Sequence, residues 1–191
     1  VAERTIDAAG AQEAFLAPSF ATGDLDAETA EGAALRAALA RGLQVKDPEF
    51  HSLGLVLGYD YPDSPVVVPD GLPVPEPELV AFRPSAHPGA RLPHTWLPDG
   101  RSLYDLLGAE FTLLRLDRAA ATEGLAAAAA RRNVPFRVVD LEHVPGLRER
   151  YGADLLLVRP DQHVAWRGAE PVDAEALLAR VVGAGEMADL L

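Results

Sequence analysis

The chain has no cysteine, one methionine, and a single lysine, Lys46, among its 17 basic residues. The first absence removes disulfides, thiolate nucleophiles and Cys-ligated metal together. The lack of lysine beside abundant Arg, Ala and Gly reads as GC-rich bacterial codon usage rather than a physical requirement. Positive charge is scarce overall: 17 basic against 29 acidic residues leave a formal charge of −12. Nucleic acid and anionic membrane faces are therefore poor partners, since both need clustered Lys and Arg. No apolar run approaches the ~18 residues of a membrane span. No signal-peptide pattern opens the chain either, so a soluble, cytoplasmic protein is expected. Glycine-rich phosphate loops of the Gly-x-Gly-x-x-Gly or Walker type are missing as well.

What is present is enough apolar material, 49% of 191 residues, for one core or one and a half. The chain is organised around residues 111–168. FTLLRL at 111–116 is a compact apolar run, an Ala-rich helix follows over 119–132, and FRVVDL at 136–141 returns as a β-branched run. DLLLV at 154–158 and HVAW at 163–166 flank Arg159-Pro160-Asp161-Gln162, with Pro and Asp where a β-turn uses them. A short helix before residue 154 and a helix over 173–182 complete a βαβ unit followed by ββα. The predicted fold class is α/β with thioredoxin topology, preceded by a helical segment. Thioredoxin chemistry needs a Cys-x-x-Cys pair where Leu116 to Thr122 stand and a proline just before Asp154, and both are absent. The expected domain is redox-inactive.

Ahead of it, residues 1–16 and 27–41 carry helical periodicity, the second helix capped by Asp24 or Asp26 and stopped by Gly42. Residues 50–61 read as a strand, with Leu53, Leu55 and Leu57 at period two and Gly54 and Gly58 marking bulges or close backbone approach. The Pro-rich stretch 62–88 is expected to run extended across a surface, with one short strand at 78–82. His94 to Leu97 reads as another strand, Asp99-Gly100 as a tight turn, and Ser102 as the N-cap of a short helix ending at Gly108. The expected boundaries are 1–61 for trailing helices and strand, 62–88 for a linker and 89–191 for the thioredoxin-like domain. The chain starts at Val1, without Met and inside a helical pattern, which reads as a piece of something longer.

Few side chains invite chemistry. His87, His94 and Asp99 fit no usual metal-ligand spacing, and no metal ligand, catalytic residue or cofactor-binding residue is assigned. His51, His143 and His163 are expected at strand ends or in loops. Ser102 has no nucleophile elbow and reads as a helix cap. The pairs Asp140/Glu142 and Glu170/Asp173 read as solvated faces and caps. Trp96 and Trp166 fall on neighbouring short strands as core or interface aromatics. Arg91, His94 and Trp96 form the best candidate for a docking surface.

PGARLPHTWL at 88–97, DGRSLYDLLG at 99–108, FTLL at 111–114 and YGADLLLVRPDQHVAWRG at 151–168 together form a pattern. It resembles the C-terminal region of class A FAD-dependent aromatic hydroxylases of the phenol hydroxylase and polyketide hydroxylase type. LGLVLGYDY at 53–61 with Ser64-Pro65, and VAER at the start, are similar to the helical part of that family behind the flavin domain. The resemblance implies a parent enzyme using FAD, NAD(P)H and dioxygen to hydroxylate an aromatic ring. The family's dinucleotide fingerprint and Gly-Asp flavin motif are absent, so no catalytic residue carries over. The resemblance implies a structural and interaction module whose partners are the flavin and substrate domains, with a homodimer possible. The alternative is a free-standing, redox-inactive thioredoxin-like binding protein holding a partner chain through the Arg91/His94/Trp96 surface or the hairpin edge.

Overall fold

The computed structural model describes Ile6, Gly10 and residues 25–44, 50–76 and 78–184. Two compact units emerge, Val1–Tyr59 with Pro77–Arg83, and Asp60–Glu76 with Pro84–Leu191.

In the second unit the apolar runs become strands, and their burial explains why. β1 (Phe111–Arg115) and β3 (Leu155–Val158) are the inner strands of a four-stranded sheet, flanked by β2 (Phe136–Asp140) and β4 (Val164–Gly168) in the order β2-β1-β3-β4. A strand buried on both faces reads as a continuous apolar run, and Leu155 to Val158 are all fully buried. β1 pairs β2 in parallel, Leu113 opposite Val138, and β3 antiparallel, Leu113 opposite Leu157. β3 and β4 close the hairpin with a shift in register at Leu157/Val158. Its turn holds Gln162 at φ 68°, with the Asp161 carboxylate accepting from Arg159 and from the His163 N–H.

α3 (Glu123–Arg131) makes the parallel crossover, and α5 (Ala174–Val181) lies on the same face of the sheet. Together they bury Leu113, Leu125, Leu157, Trp166 and Leu178. The opposite face is covered by α4 (Leu147–Tyr151) and the 92–103 loop, around Leu92, Leu103, Leu114, Leu147, Tyr151 and Leu156. The expected βαβ-then-ββα order is present. The crossover helix begins four residues later than predicted because Asp117 caps a separate turn through the N–H groups of Ala119 and Ala120.

Residues 66–70 run beside β4, the Val68 N–H donating to Ala165 C=O at 2.8 Å, while Gly89 and Ala90 exchange hydrogen bonds with Val164. This closes an edge that would otherwise expose unpaired backbone. Gly89, at φ +95°, sits so close to Tyr61 and Pro62 that a Cβ would come within 2.7 Å of their backbone.

The first unit differs from expectation. The helix predicted for 27–41 is α1 (Ala30–Leu43), capped by Thr29, whose hydroxyl accepts from Gly32 N–H at 3.1 Å, rather than by Asp24 or Asp26. Gly42 lies inside it. The strand predicted at 50–61 is instead a short helix, α2 (Leu53–Leu57). Leucines at 53, 55 and 57 satisfy period two, but Leu53 and Leu57 also satisfy the helical i, i+4 step, and a run this short does not separate the two. The close approach expected at Gly54 is real: a Cβ there would lie 2.0 Å from Glu78 C=O. The N–H groups of Gly54 and Leu55 donate to Val80 and Leu79, so 78–82 serves as an acceptor segment and forms no strand. The helix predicted for 1–16 lies outside the described residues apart from Ile6 and Gly10, which are helical.

Candidate functional site

The three residues singled out from the sequence, Arg91, His94 and Trp96, come together on one face of the second unit. The predicted 94–97 strand is reduced to a single bridge between Trp96 and Ser102. The loop is nevertheless firmly framed. Leu97 N–H donates to Arg101 C=O at 2.9 Å and Leu103 N–H to Thr95 C=O at 3.0 Å, closing the turn at Asp99-Gly100. Ser102 caps a 3-10 turn over Leu103–Leu106, its hydroxyl accepting from Tyr104 N–H while the Asp105 carboxylate accepts from Ser102 N–H, a reciprocal capping box. From beneath, two tyrosines fix the loop by consecutive carbonyls: Tyr104 donates its phenol to Leu92 C=O and Tyr151 donates to Pro93 C=O, each at 2.5 Å. Burial pushes both phenols above the ordinary tyrosine pKa; for Tyr104 the nearby Arg91 charge opposes that shift and is outweighed.

On this frame His94 stacks edge-on against Trp96, ring centres 4.8 Å apart, and against Tyr104 at 5.4 Å. The Arg91 guanidinium lies 5.3 Å from the centre of the Tyr104 ring and donates to Gln162 at 3.0 Å. Arg150 reaches the Thr95 hydroxyl at 3.0 Å. Tyr104, Ser102 and Arg150 thus belong to the cluster although the sequence reading had not joined them to it. The signal was the 102–104 cap next to a histidine, but its partners are eight or more residues away. Trp96 is 69% exposed; Trp166 is 8% exposed in the core.

His94 Nε2 is 2.9 Å from the Ser102 hydroxyl. That is the first half of a nucleophile–base pair, but the second half is missing. Among the described residues no carboxylate orients the His94 ring: Asp105 is engaged with Ser102 N–H, and Asp99 with Arg101, whose guanidinium holds the Asp99 carboxyl below the usual carboxylate range. The hydroxyl itself is spent on capping.

A second polar cluster had no signature in the sequence. His87 Nε2 lies 3.0 Å from the Asp60 carboxylate, 27 residues away, and its Nδ1 lies 3.2 Å from the Ser85 hydroxyl. Both side chains are about nine-tenths buried. The pair clasps the two ends of the Pro-rich excursion. His163, at the start of β4, is buried with Nδ1 3.0 Å from Asp161 C=O. Asp173 caps α5, while Asp140 pairs with Arg115 rather than standing only in solvent. Among the described residues no group of three or more His, Asp or Glu converges as a metal site, and no described helix is long and apolar enough to cross a membrane.

Residues 85–185, more than half of the chain and all of this surface, match the family model for the C-terminal region of aromatic-ring hydroxylases. The chain is 35% identical over 171 residues to the FAD-dependent monooxygenase apdD of Emericella nidulans, covering 84% of this chain and 27% of that protein. It is 33% identical over 171 residues to a phenol 2-monooxygenase of a Pseudomonas species, covering 80% of this chain and 28% of the relative. The solved structure of chromopyrrolic acid-soaked RebC with bound 7-carboxy-K252c superposes with a TM-score of 0.79 at 32% identity, over 95% of this chain and 34% of that one. The chain therefore spans between a quarter and a third of the length of these similar proteins. By the family match across its sheet, its hairpin and the loop bearing Arg91, His94 and Trp96, this chain belongs to the aromatic-ring hydroxylase C-terminal family.

Proposed function

We propose that this chain is the C-terminal, redox-inactive, thioredoxin-like module of a bacterial, cytoplasmic, FAD-dependent aromatic-ring monooxygenase. The whole protein would use NAD(P)H and dioxygen to hydroxylate an aromatic substrate. The observation that carries this reading is the family match over 85–185 together with relatives that are themselves an FAD-dependent monooxygenase and a phenol 2-monooxygenase.

Placing the flavin elsewhere is supported by the described residues, in which no Gly-x-Gly-x-x-Gly run opens a helix. A dinucleotide pyrophosphate seats on free N–H groups at a helix N-terminus behind a glycine turn. In the second unit Asp173 fills the start of α5, accepting from the N–H groups of Glu175 and Ala176 at 2.9 and 3.0 Å, and Glu123 at the start of α3 accepts from Thr122 N–H at 3.0 Å. In the first unit Thr29 fills the start of α1 with its own hydroxyl. FAD, the nicotinamide and the aromatic substrate are assigned to flavin and substrate domains elsewhere in the polypeptide. This chain supplies packing surface and no catalytic group.

The test is the natural gene product, purified intact and scanned in the visible. A yellow protein several times larger than 20.3 kDa, oxidising NAD(P)H when offered a phenolic substrate, is the expected result. A colourless natural protein of the size of this chain would overturn the reading.

A further inference from the structure

We propose that the loop bearing Arg91, His94 and Trp96 is the point at which this module seats on the flavin-bearing part of its own polypeptide, against an apolar surface lined with carbonyl and carboxylate oxygens. The inference rests on the function proposed above and adds the contact face and its chemistry.

Trp96 carries the argument. A tryptophan is a large apolar ring with one donor, and a soluble surface seldom displays one unsupported. Here 69% of the residue is exposed, and its indole N–H donates to no group among the described residues. The display is rigid. The loop is pinned from below by Tyr104 and Tyr151 through adjacent carbonyls, and laterally by the Leu97–Arg101 and Leu103–Thr95 hydrogen bonds. His94 braces the indole edge-on at 4.8 Å and is itself held by Ser102 at 2.9 Å. A pre-ordered aromatic loses little conformational entropy on contact, which is how interface anchors gain their strength.

Charge selects the occupant. The chain carries a formal −12, yet this loop is flanked by the guanidiniums of Arg91 and Arg150. Each guanidinium carries five N–H donors, more than its described partners take up. The complementary surface is apolar where it meets the indole and rich in oxygen acceptors at its rim. A second copy of the same loop, related by a two-fold axis, would set these cations against each other. The remainder of the polypeptide is the better occupant on length as well: the similar proteins are roughly three to four times longer than the part this chain matches.

Hydroxyl-radical footprinting read by mass spectrometry tests this on the intact yellow protein, beside the 191-residue chain and normalised to an added reporter peptide. Oxidation at Trp96 should fall by about tenfold in the intact protein, as expected for an anchor shielded by its surrounding contacts, and the protection should persist on dilution. Equal reactivity of Trp96 in the two samples overturns the proposal while leaving the monooxygenase reading standing. Protection that disappears on dilution overturns it in favour of a second copy. A natural product without flavin removes the function on which it rests, an outcome read from colour before any footprint is taken.

Discussion

The two units of this chain use similar residues to opposite effect. In the second unit, leucines at 113, 114, 155, 156 and 157 are withdrawn completely from water on both faces of one sheet. In the first unit, the only described residues that reach full burial are Gly32, Gly42 and Gly54, while Leu43, Phe50, Leu53 and Val56 are 46 to 77% exposed. Burying a leucine contributes roughly 1.5–3 kcal/mol relative to leaving it in water, so the second unit gains this many times over and the described residues of the first scarcely at all. Among the described residues α1 is held by a threonine cap, its own helical hydrogen bonds and Arg36 donating to Leu25 and Ala27 C=O, and α2 by two N–H groups donated to Leu79 and Val80. Isolated helices of such length are marginal in water. A unit with a withdrawn apolar core is thus joined in one chain to one whose described large apolar side chains stay largely in water.

The contrast can be broken most forcefully in the sheet. Leu156→Ala should destabilise the second unit by about 3 kcal/mol, the cost of a core cavity, whereas Leu53→Ala should change stability by less than about 0.5 kcal/mol. Urea unfolding of the two variants decides this; equal losses would end the distinction between the units.

Next in size is the pair that ties residues 66–70 to β4. Arg167 donates to Asp70 at 2.7 Å, both side chains about 14% exposed, and also to Tyr151 C=O at 2.9 Å. Asp70→Ala should cost about 2–3 kcal/mol by stranding the guanidinium. Burial alone would raise the Asp70 pKa, but the Leu72 N–H and the Arg167 guanidinium outweigh it and hold the carboxyl below its ordinary value. The unfolded state therefore takes up its proton first on acidification. This contribution is whole above a pH of about 4 and is lost as pH falls through the folded value. Acid titration of wild type against Asp70→Asn should show that component vanish.

A smaller effect is expected at the loop anchor. Tyr151→Phe removes the hydrogen bond to Pro93 and should cost about 1 kcal/mol. Burial raises the folded Tyr151 pKa, with the neighbouring Arg150 charge opposing. The unfolded chain then loses its phenolic proton first, so stability from this group is complete below a pH of about 10 and declines above it. Ultraviolet difference titration should find Tyr151 silent until the protein unfolds, and an early ionisation would contradict its burial.

Most of the second unit was legible because its signals are local: apolar runs of strand length, an Ala-rich crossover, a Pro-Asp turn, and Ser102 and Asp173 placed to cap. Period alone misread 50–61, where three alternate leucines fit two geometries and the deciding interaction, Gly54 against Glu78, is 24 residues distant. The Asp60–His87 clasp, the Asp70–Arg167 pair and the tyrosine anchors on Leu92 and Pro93 were invisible for the same reason, since each joins positions between 12 and 97 residues apart. Arg91, His94 and Trp96 were found as a group, but Tyr104, the ring that links Arg91 to His94, was not, because its position depends on the turn between them.

Hydrogen exchange resolved by residue, on this chain alone, addresses the contrast between the units most directly. Amides of β1 and β3 should open only with global unfolding, while those of α1 and α2 should exchange faster by several orders of magnitude, as locally held helices do. Protection in α1 equal to that in β3 would show the two units equally stable, and the contrast drawn between them would be wrong.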